Sequence, residues 1–192
     1  ISLLATGEPA VLLPREARAD GAVDDAAWMS WCTAIRDATH RIRSRPWDGR
    51  TVLTALGGGD VAVATGVLLG AAARRTPVLI DGPVGAAATL VARDLAAGVP
   101  GWVLLADLGG HPAVELAATL LSLQPLVDLR LGLGEGAGAL AMLPLLRTAL
   151  AVAATVEPAA TVEPEPEPEP AATVEPEPEP VATVDPAPTS GG

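Results

Sequence analysis

The chain reads as an α/β protein with a mostly parallel sheet and helices on both faces, followed by a disordered tail. Three observations predict this. Short apolar runs alternate with helical stretches between residues 50 and 150, glycine-containing turns follow those runs, and from Ala153 the composition switches to Ala-Thr-Val-Glu-Pro repeats separated by Glu-Pro runs. Apolar strands alternating with helices place helices on both sides of a sheet, whereas a tail of alternating Glu and Pro has no apolar face to bury.

Taken in order, Val11 to Leu13 reads as a short strand ended by Pro14. Asp24-Asp25 then opens a helix through Trp28, Ile35 and Ile42 toward Arg45, with acidic residues at its start and arginines at its end. Val52 to Leu56 reads as a strand stopping at Gly57-Gly58-Gly59, after which Asp60 can cap a helix reaching Arg74-Arg75. Pro77 to Ile80 is the next strand, Gly82 to Leu95 the next helix, and Trp102 to Ala106 a further strand. Val114 to Leu123 is helical, and Leu126 to Leu129 lead into a Gly-Glu-Gly turn and a last helix.

The chain has 192 residues and a net charge of −11, with arginine as its sole basic residue type apart from two histidines. That length suits one ordinary domain with a real core. The charge is concentrated at one end. Residues 155–192 carry eight Glu and one Asp without Arg, leaving 1–154 with 14 acidic groups against 12 arginines. The expected division is therefore a folded body, 1–154, and an extended Glu/Pro-rich tail, 155–192, serving as a solubilising or spacer segment. A nearly neutral body without aromatic interleaving has no field for nucleic acid, so no such partner is expected. Its longest uncharged stretch, Val61 to Ala73, is well short of the roughly 20 residues of a membrane helix, so no membrane span is expected. The single Cys32 excludes an internal disulfide and fits a reducing compartment. His40 and His111 lack partners at metal-ligand spacing, so no metal site is expected.

Chemistry is best sought at Leu133-Gly134-Glu135-Gly136-Ala137-Gly138, a carboxylate held between glycines ahead of an apolar helix. Gly134, Gly136 and Gly138 allow positive φ and close approach of a ligand, and the helix start directs free amides to the same place. Glu135 is either the reacting carboxylate or a first-turn residue complementing the helix dipole. Gly57, Gly58, Gly59 and Gly82 are turn requirements or backbone donors to a ligand, and Asp60 and Asp81 are cap and turn acceptors or substrate contacts. In doubly wound sheets ligands bind beyond the carboxyl ends of the strands, where all three glycine turns are expected to fall. A Gly-x-Gly-x-x-Gly after the first strand of a βαβ unit, with an acidic residue about 20 positions on, is not present, which argues against a generic dinucleotide-binding domain.

In their order along the chain, Ala55 to Asp60, Thr76 to Gly82, Gln124 to Leu129 and the Gly-Glu-Gly turn resemble the C-terminal half of the nicotinate-nucleotide:dimethylbenzimidazole phosphoribosyltransferase family. The similarity spans residues 1–150 and is strongest over 51–95 and 123–147. It implies a Rossmann-like α/β domain with a small helical domain, a homodimer, and a cytoplasmic enzyme of cobalamin lower-ligand assembly that needs no cofactor. It also implies nicotinate mononucleotide and 5,6-dimethylbenzimidazole as substrates and α-ribazole 5′-phosphate and nicotinate as products. Glu135 matches the catalytic glutamate. Gly57, Gly58, Gly59, Asp81, Gly82, Gly134, Gly136 and Gly138 become the expected substrate-binding positions.

Several positions depart from the family pattern. Trp31 stands where a lysine near the phosphate is expected, Gly85 replaces a serine, and Gly109-Gly110-His111-Pro112 stands for a Ser-x-Glu-Pro-Gly-His segment. The family's Gly-Asn-Thr-Thr segment falls upstream of Ile1, and Gly7-Glu8-Pro9 is not its equivalent; sequence preceding Ile1 is expected. These departures define the alternative expectation, a non-catalytic homologue that binds an aromatic base or a partner subunit.

Overall fold

A computed structural model describes residues 1–15, 21–134 and 136–156. Ile1–Thr155 forms one compact unit. The repeat segment expected to be disordered lies outside the described residues from position 157 on.

This unit contains α1 (Pro9–Leu12), α2 (Asp25–Ile42), α3 (Gly49–Leu56), α4 (Gly59–Ala73), β1 (Val78–Ile80), α5 (Gly82–Leu95), a 3-10 turn (Val99–Trp102), β2 (Val103–Leu105), α6 (Pro112–Leu121) and α7 (Ala137–Ala153). The two strands are parallel, pairing Val78 with Val103, Leu79 with Leu104 and Ile80 with Leu105. A third extended piece continues this sheet on the far side of β2. Leu105 bridges Pro125 in parallel, the Leu126 amide donates to the Leu105 carbonyl at 2.8 Å, and Val127 donates to Ala106 at 3.2 Å.

Alternation along the strands divides the core. Ile80, Val103 and Leu105 face a cluster with Leu68 of α4, Leu90 of α5 and Val114, Ala117 and Leu121 of α6. Leu79 and Val127 turn the other way, with Ala106, against Ala139 and Met142 of α7. Helices therefore cover both faces, as an α/β sheet requires. α5 is the central helix: Ala88, Leu90 and Ala92 are fully buried, and Thr89 returns its hydroxyl to the Gly85 carbonyl at 2.8 Å.

Two expected strands are helices. Val11 belongs to α1, a single turn begun by Pro9, whose fixed φ suits the first helical position; of Val11 to Leu13 only Leu12 is buried. Leu13 stays extended after it and accepts the Trp28 indole N–H at 3.1 Å, while the Arg15 guanidinium lies 4.4 Å from the Trp28 ring centroid. Val52 to Leu56 is the second half of α3. Asp48 caps that helix, accepting from the Thr51 amide at 2.7 Å and its hydroxyl at 3.0 Å, and Asp94 of α5 accepts the Gly49 amide. These Thr51 bonds, the amide first, outweigh desolvation and hold the Asp48 carboxyl below its ordinary pKa. Val52, Ala55 and Leu56 meet Leu3 and Ile42 at helical spacing, so the three-to-four periodicity prevails over a five-residue apolar run.

Asp60 is likewise not the cap of α4. Gly58 holds that position and Asp60 lies in the first turn. Asp24 does cap α2, accepting from Ala27 at 2.9 Å.

Leu105 is 1% exposed in the inter-helix cluster and Leu140 on α7 is 70% exposed. Leu105→Ala is expected to lower unfolding free energy by about 2–5 kcal/mol, whereas Leu140→Ala is expected to stay within about 0.5 kcal/mol. Urea denaturation of both variants checks the assignment of the core, and equal effects would contradict it.

Candidate active site

Each strand runs directly or nearly so into an aspartate. Asp81 follows Ile80, and Asp107 stands two residues beyond Leu105; both are buried, at 6% and 3% exposure. A buried carboxylate is costly unless its oxygens are filled. Asp81 accepts from the amides of Gly136 at 2.5 Å, Gly138 at 2.6 Å and Ala139 at 3.2 Å, all at the start of α7. Asp107 accepts from Leu129 at 3.1 Å, Arg130 at 3.3 Å and Leu131 at 2.8 Å. Burial pushes the Asp107 carboxyl up, but donors at Leu131, Gly109, Leu129 and Arg130 together outweigh it and leave the pKa below its ordinary value.

Between these carboxylates lies a cleft of about 180 Å³, lined by Asp81, Gly82, Asp107, Gly109, Gly110, His111, the 131–134 segment and Gly138. Several of its glycines have positive φ: Gly82 at 66°, Gly109 at 65°, Gly132 at 60° and Gly134 at 60°. Gly136, at 89°, turns the chain into α7. Gly138 is required for another reason. A Cβ there would lie 2.7 Å from Asp81 Oδ2, so only glycine lets α7 start against this carboxylate.

The structure thus brings together Asp81, Gly82, Gly134 and Gly138 around one cleft, with Gly136 beside Asp81 and lining an adjoining hollow that also includes Asp60. Glu135, the expected reacting carboxylate, lies outside the described residues. The expectation that Gly57, Gly58 and Gly59 end a strand at the same edge is overturned: Gly57 and Gly58 join α3 to α4, and Gly59 is the first residue of α4. Gly57 instead lines an apolar cavity of about 470 Å³ formed with Leu3, Leu12, Val52 and Val91. A Cβ at Gly57 would meet the Leu53 carbonyl oxygen at 2.6 Å, which is a packing requirement of the α3 end.

Sequence reasoning does not single out Asp107, Gly109, Gly110 and Gly132 as site residues. The signal that could find them is a repeat of the first strand's ending, since an apolar run followed by Asp and Gly occurs at 78–82 and again at 103–109. His111 stands at the start of α6, where Nδ1 accepts the Ala113 amide at 3.2 Å. Among the described residues no group of three or more His, Cys, Asp or Glu could hold a metal ion.

A parallel sheet whose strand ends carry carboxylates and glycine turns, opening on a small cleft, defines an α/β protein with the cleft where such sheets bind their ligands. The phosphoribosyltransferase family model matches residues 4–162, and the chain belongs to that family. It is 45% identical over 126 residues to nicotinate-nucleotide--dimethylbenzimidazole phosphoribosyltransferase of Streptomyces avermitilis, covering 66% of this chain and 34% of the relative. The protein of the same name from Corynebacterium efficiens is 39% identical over 148 residues, 77% of this chain and 39% of that one. The crystal structure of CobT from Thermus thermophilus superposes with a TM-score of 0.66 at 27% identity, over 77% of this chain and 43% of its own. The chain therefore spans 34–39% of the length of these curated relatives.

The depressed pKa of Asp107 links the site to acid stability. A carboxyl lowered below its ordinary value of 3.8 contributes fully above that value, and the contribution is lost as pH falls through the lower folded-state pKa. Asp107→Asn is expected to reduce stability at pH 7 and to flatten its fall below about pH 4. Urea titrations at stepped pH measure both, and parallel stability curves for the two proteins would contradict this role.

Proposed function

We propose that the chain carries the base-activating part of a phosphoribosyltransferase that joins the ribose phosphate of nicotinate mononucleotide to 5,6-dimethylbenzimidazole. Family membership supports the reaction type, and the names of the two curated relatives support the substrates. The observation that carries the reading is the glycine-lined cleft at the strand ends, whose wall includes the 131–134 segment that leads directly into Glu135.

The cleft's electrostatics favour the base over the phosphate. The chain has no lysine; among the described residues no arginine lines the cleft, and the carboxylates there are Asp81 and Asp107. A benzimidazole gains positive charge as one nitrogen attacks the anomeric carbon, and nearby carboxylates stabilise that charge. The new C–N bond forms as the bond to nicotinate breaks, with its electron pair passing to the departing pyridine nitrogen. The N–H proton on the other imidazole nitrogen passes to the Glu135 carboxylate, so Glu135 acts as general base. Gly134 and Gly136 suit the role because their positive φ brings backbone close to a flat ligand.

A homodimer and a cytoplasmic setting accompany this reading. Leu140, Leu145 and Leu150 stand exposed along α7, which supports association of the chain with an apolar partner surface. No described helix is long and apolar enough to cross a membrane.

Glu135→Gln preserves size and removes the proton acceptor. Turnover to α-ribazole 5′-phosphate is expected to fall about 10²–10⁴-fold with little change in base affinity. A mere helix-dipole role predicts instead a loss of about 0.3–1 kcal/mol in stability with turnover intact. Product formation and thermal unfolding, measured side by side, separate the two. Base binding without turnover in the wild-type chain would favour the non-catalytic alternative, which the exposed Trp31 at the expected lysine position also supports.

A further inference from the structure

We infer that Asp81 and Asp107 are positioning residues that hold the Glu135 segment at both ends, as two fixed anchors just beyond the parallel strands. The inference rests on Glu135 being the general base proposed above and concerns what aims it.

Burial of side chains does not hold the first part of the segment from 129 to 139. Leu129 is 59% exposed, Leu131 38% and Leu133 58%. Its backbone conformation is also unfavourable for a self-supporting loop, with Arg130, Gly132, Gly134 and Gly136 all at positive φ. Six of its amides instead converge on two carboxylates. Asp107 takes Leu129, Arg130 and Leu131, and Asp81 takes Gly136, Gly138 and Ala139. Positions 132–135, between the two anchored stretches, include Glu135.

The anchors themselves are rigid. Asp81 directly follows the paired residue Ile80, and the Ala106 amide donates back to the Ile80 carbonyl at 2.9 Å, tying the start of one anchor to the strand bearing the other. Both carboxylates are buried, and both oxygens of each are occupied by amides. Charge-assisted bonds of this kind are stronger than neutral ones and fix direction. An ionised carboxyl carries acceptors only, so it satisfies all its donors at once; an asparagine must turn an NH2 group toward some of those amides. In sequence Asp107 is 24 residues from Leu131 and Asp81 is 57 from Gly138, so the strand ends, not the local chain, hold the two stretches that flank positions 132–135. Misplacement of a reacting group by about 1 Å costs on the order of 10²-fold in rate.

The test compares wild type with Asp107→Asn, Asp81→Asn and Glu135→Gln in the 192-residue chain, using turnover, KM for the base, the pH profile and amide hydrogen exchange. Asp107→Asn is expected to speed exchange at 129–131, and Asp81→Asn at 136–139, by about 10-fold or more. Each is expected to lower kcat about 10–100-fold with KM changed less than about threefold, while the acid limb of the rate profile, set by Glu135, persists at reduced height. Asp107→Glu keeps the charge but lengthens the side chain, and is expected to recover exchange protection only partly and kcat with it. Unchanged exchange in either Asn variant would overturn the anchoring. Faster exchange with full kcat, while Glu135→Gln is inactive, would overturn the positioning role alone. Wild-type turnover in Glu135→Gln would instead sink the general-base reading. A wild-type chain with no turnover also counts against that reading, and the exchange data then decide whether the anchors hold the segment.

Discussion

Everything near the cleft depends on two carboxylates placed where the parallel strands end. Leaving a charged carboxylate at the bottom of an α/β cleft without partners would cost several kcal/mol, so the chain must deliver amides to it. It does so with a segment whose own leucines are largely exposed, and with the first turn of α7. Anion and helix start are matched in sign: the free amides and positive end of the helix dipole meet Asp81, and the helix is oriented as a consequence. Gly138 completes the match because any Cβ would stand in the way of the carboxylate oxygen. Fold and site are therefore one arrangement. The Asp81 bonds that fix the start of α7 also shape the wall of the cleft, while Ala139 and Met142 pack the helix on the sheet.

The strands and helices legible in sequence are those with independent start and stop signals. β1 runs into Asp81-Gly82, α5 begins at that turn, α6 begins at Pro112, and α7 begins among the glycines of 134–138. α1 and α3 lack the length to show a period clearly. A run such as Thr51 to Leu56 is compatible with either geometry, and what settles it is a cap from Asp48 and a long-range bond from Asp94, the second of which has no local signature. The consequence reaches the site. Reading Val52 to Leu56 as a strand forces Gly57 to Gly59 onto the sheet's carboxyl edge, whereas Gly57 and Gly58 join two helices and Gly59 begins the second, with Gly57 beside an apolar cavity.

The glycines at 134, 136 and 138 are legible from their spacing, but the reason for each differs. Gly134 and Gly136 are needed for positive φ, while Gly138 is needed for space. Asp107 is inconspicuous in sequence because a single aspartate after an apolar run is ordinary, and its meaning arises only when amides from residues 129–131 are folded back upon it. Long-range satisfaction of a buried charge leaves no trace in local sequence. It can be suspected only by asking, of every acidic residue at a strand end, which backbone will come to fill it.

On the proposed reading, the charge balance leaves the cleft poorly suited to a phosphate. With no lysine in the chain and no described arginine in the cleft, the cleft offers acidic side chains and backbone amides, many of them already committed. A dianionic phosphate placed against Asp81 and Asp107 would meet like charge in a low-dielectric recess, while a neutral ring becoming cationic would meet opposite charge. On that reading the same two carboxylates bias the cleft toward the base half of the proposed reaction. Because their oxygens are filled by backbone amides, they do so as a fixed field, and the proposed proton acceptor is a third carboxylate, Glu135. Separating the groups that orient from the group that reacts lets the orienting carboxylates keep their amides throughout the reaction, which a carboxylate sharing both tasks could not do.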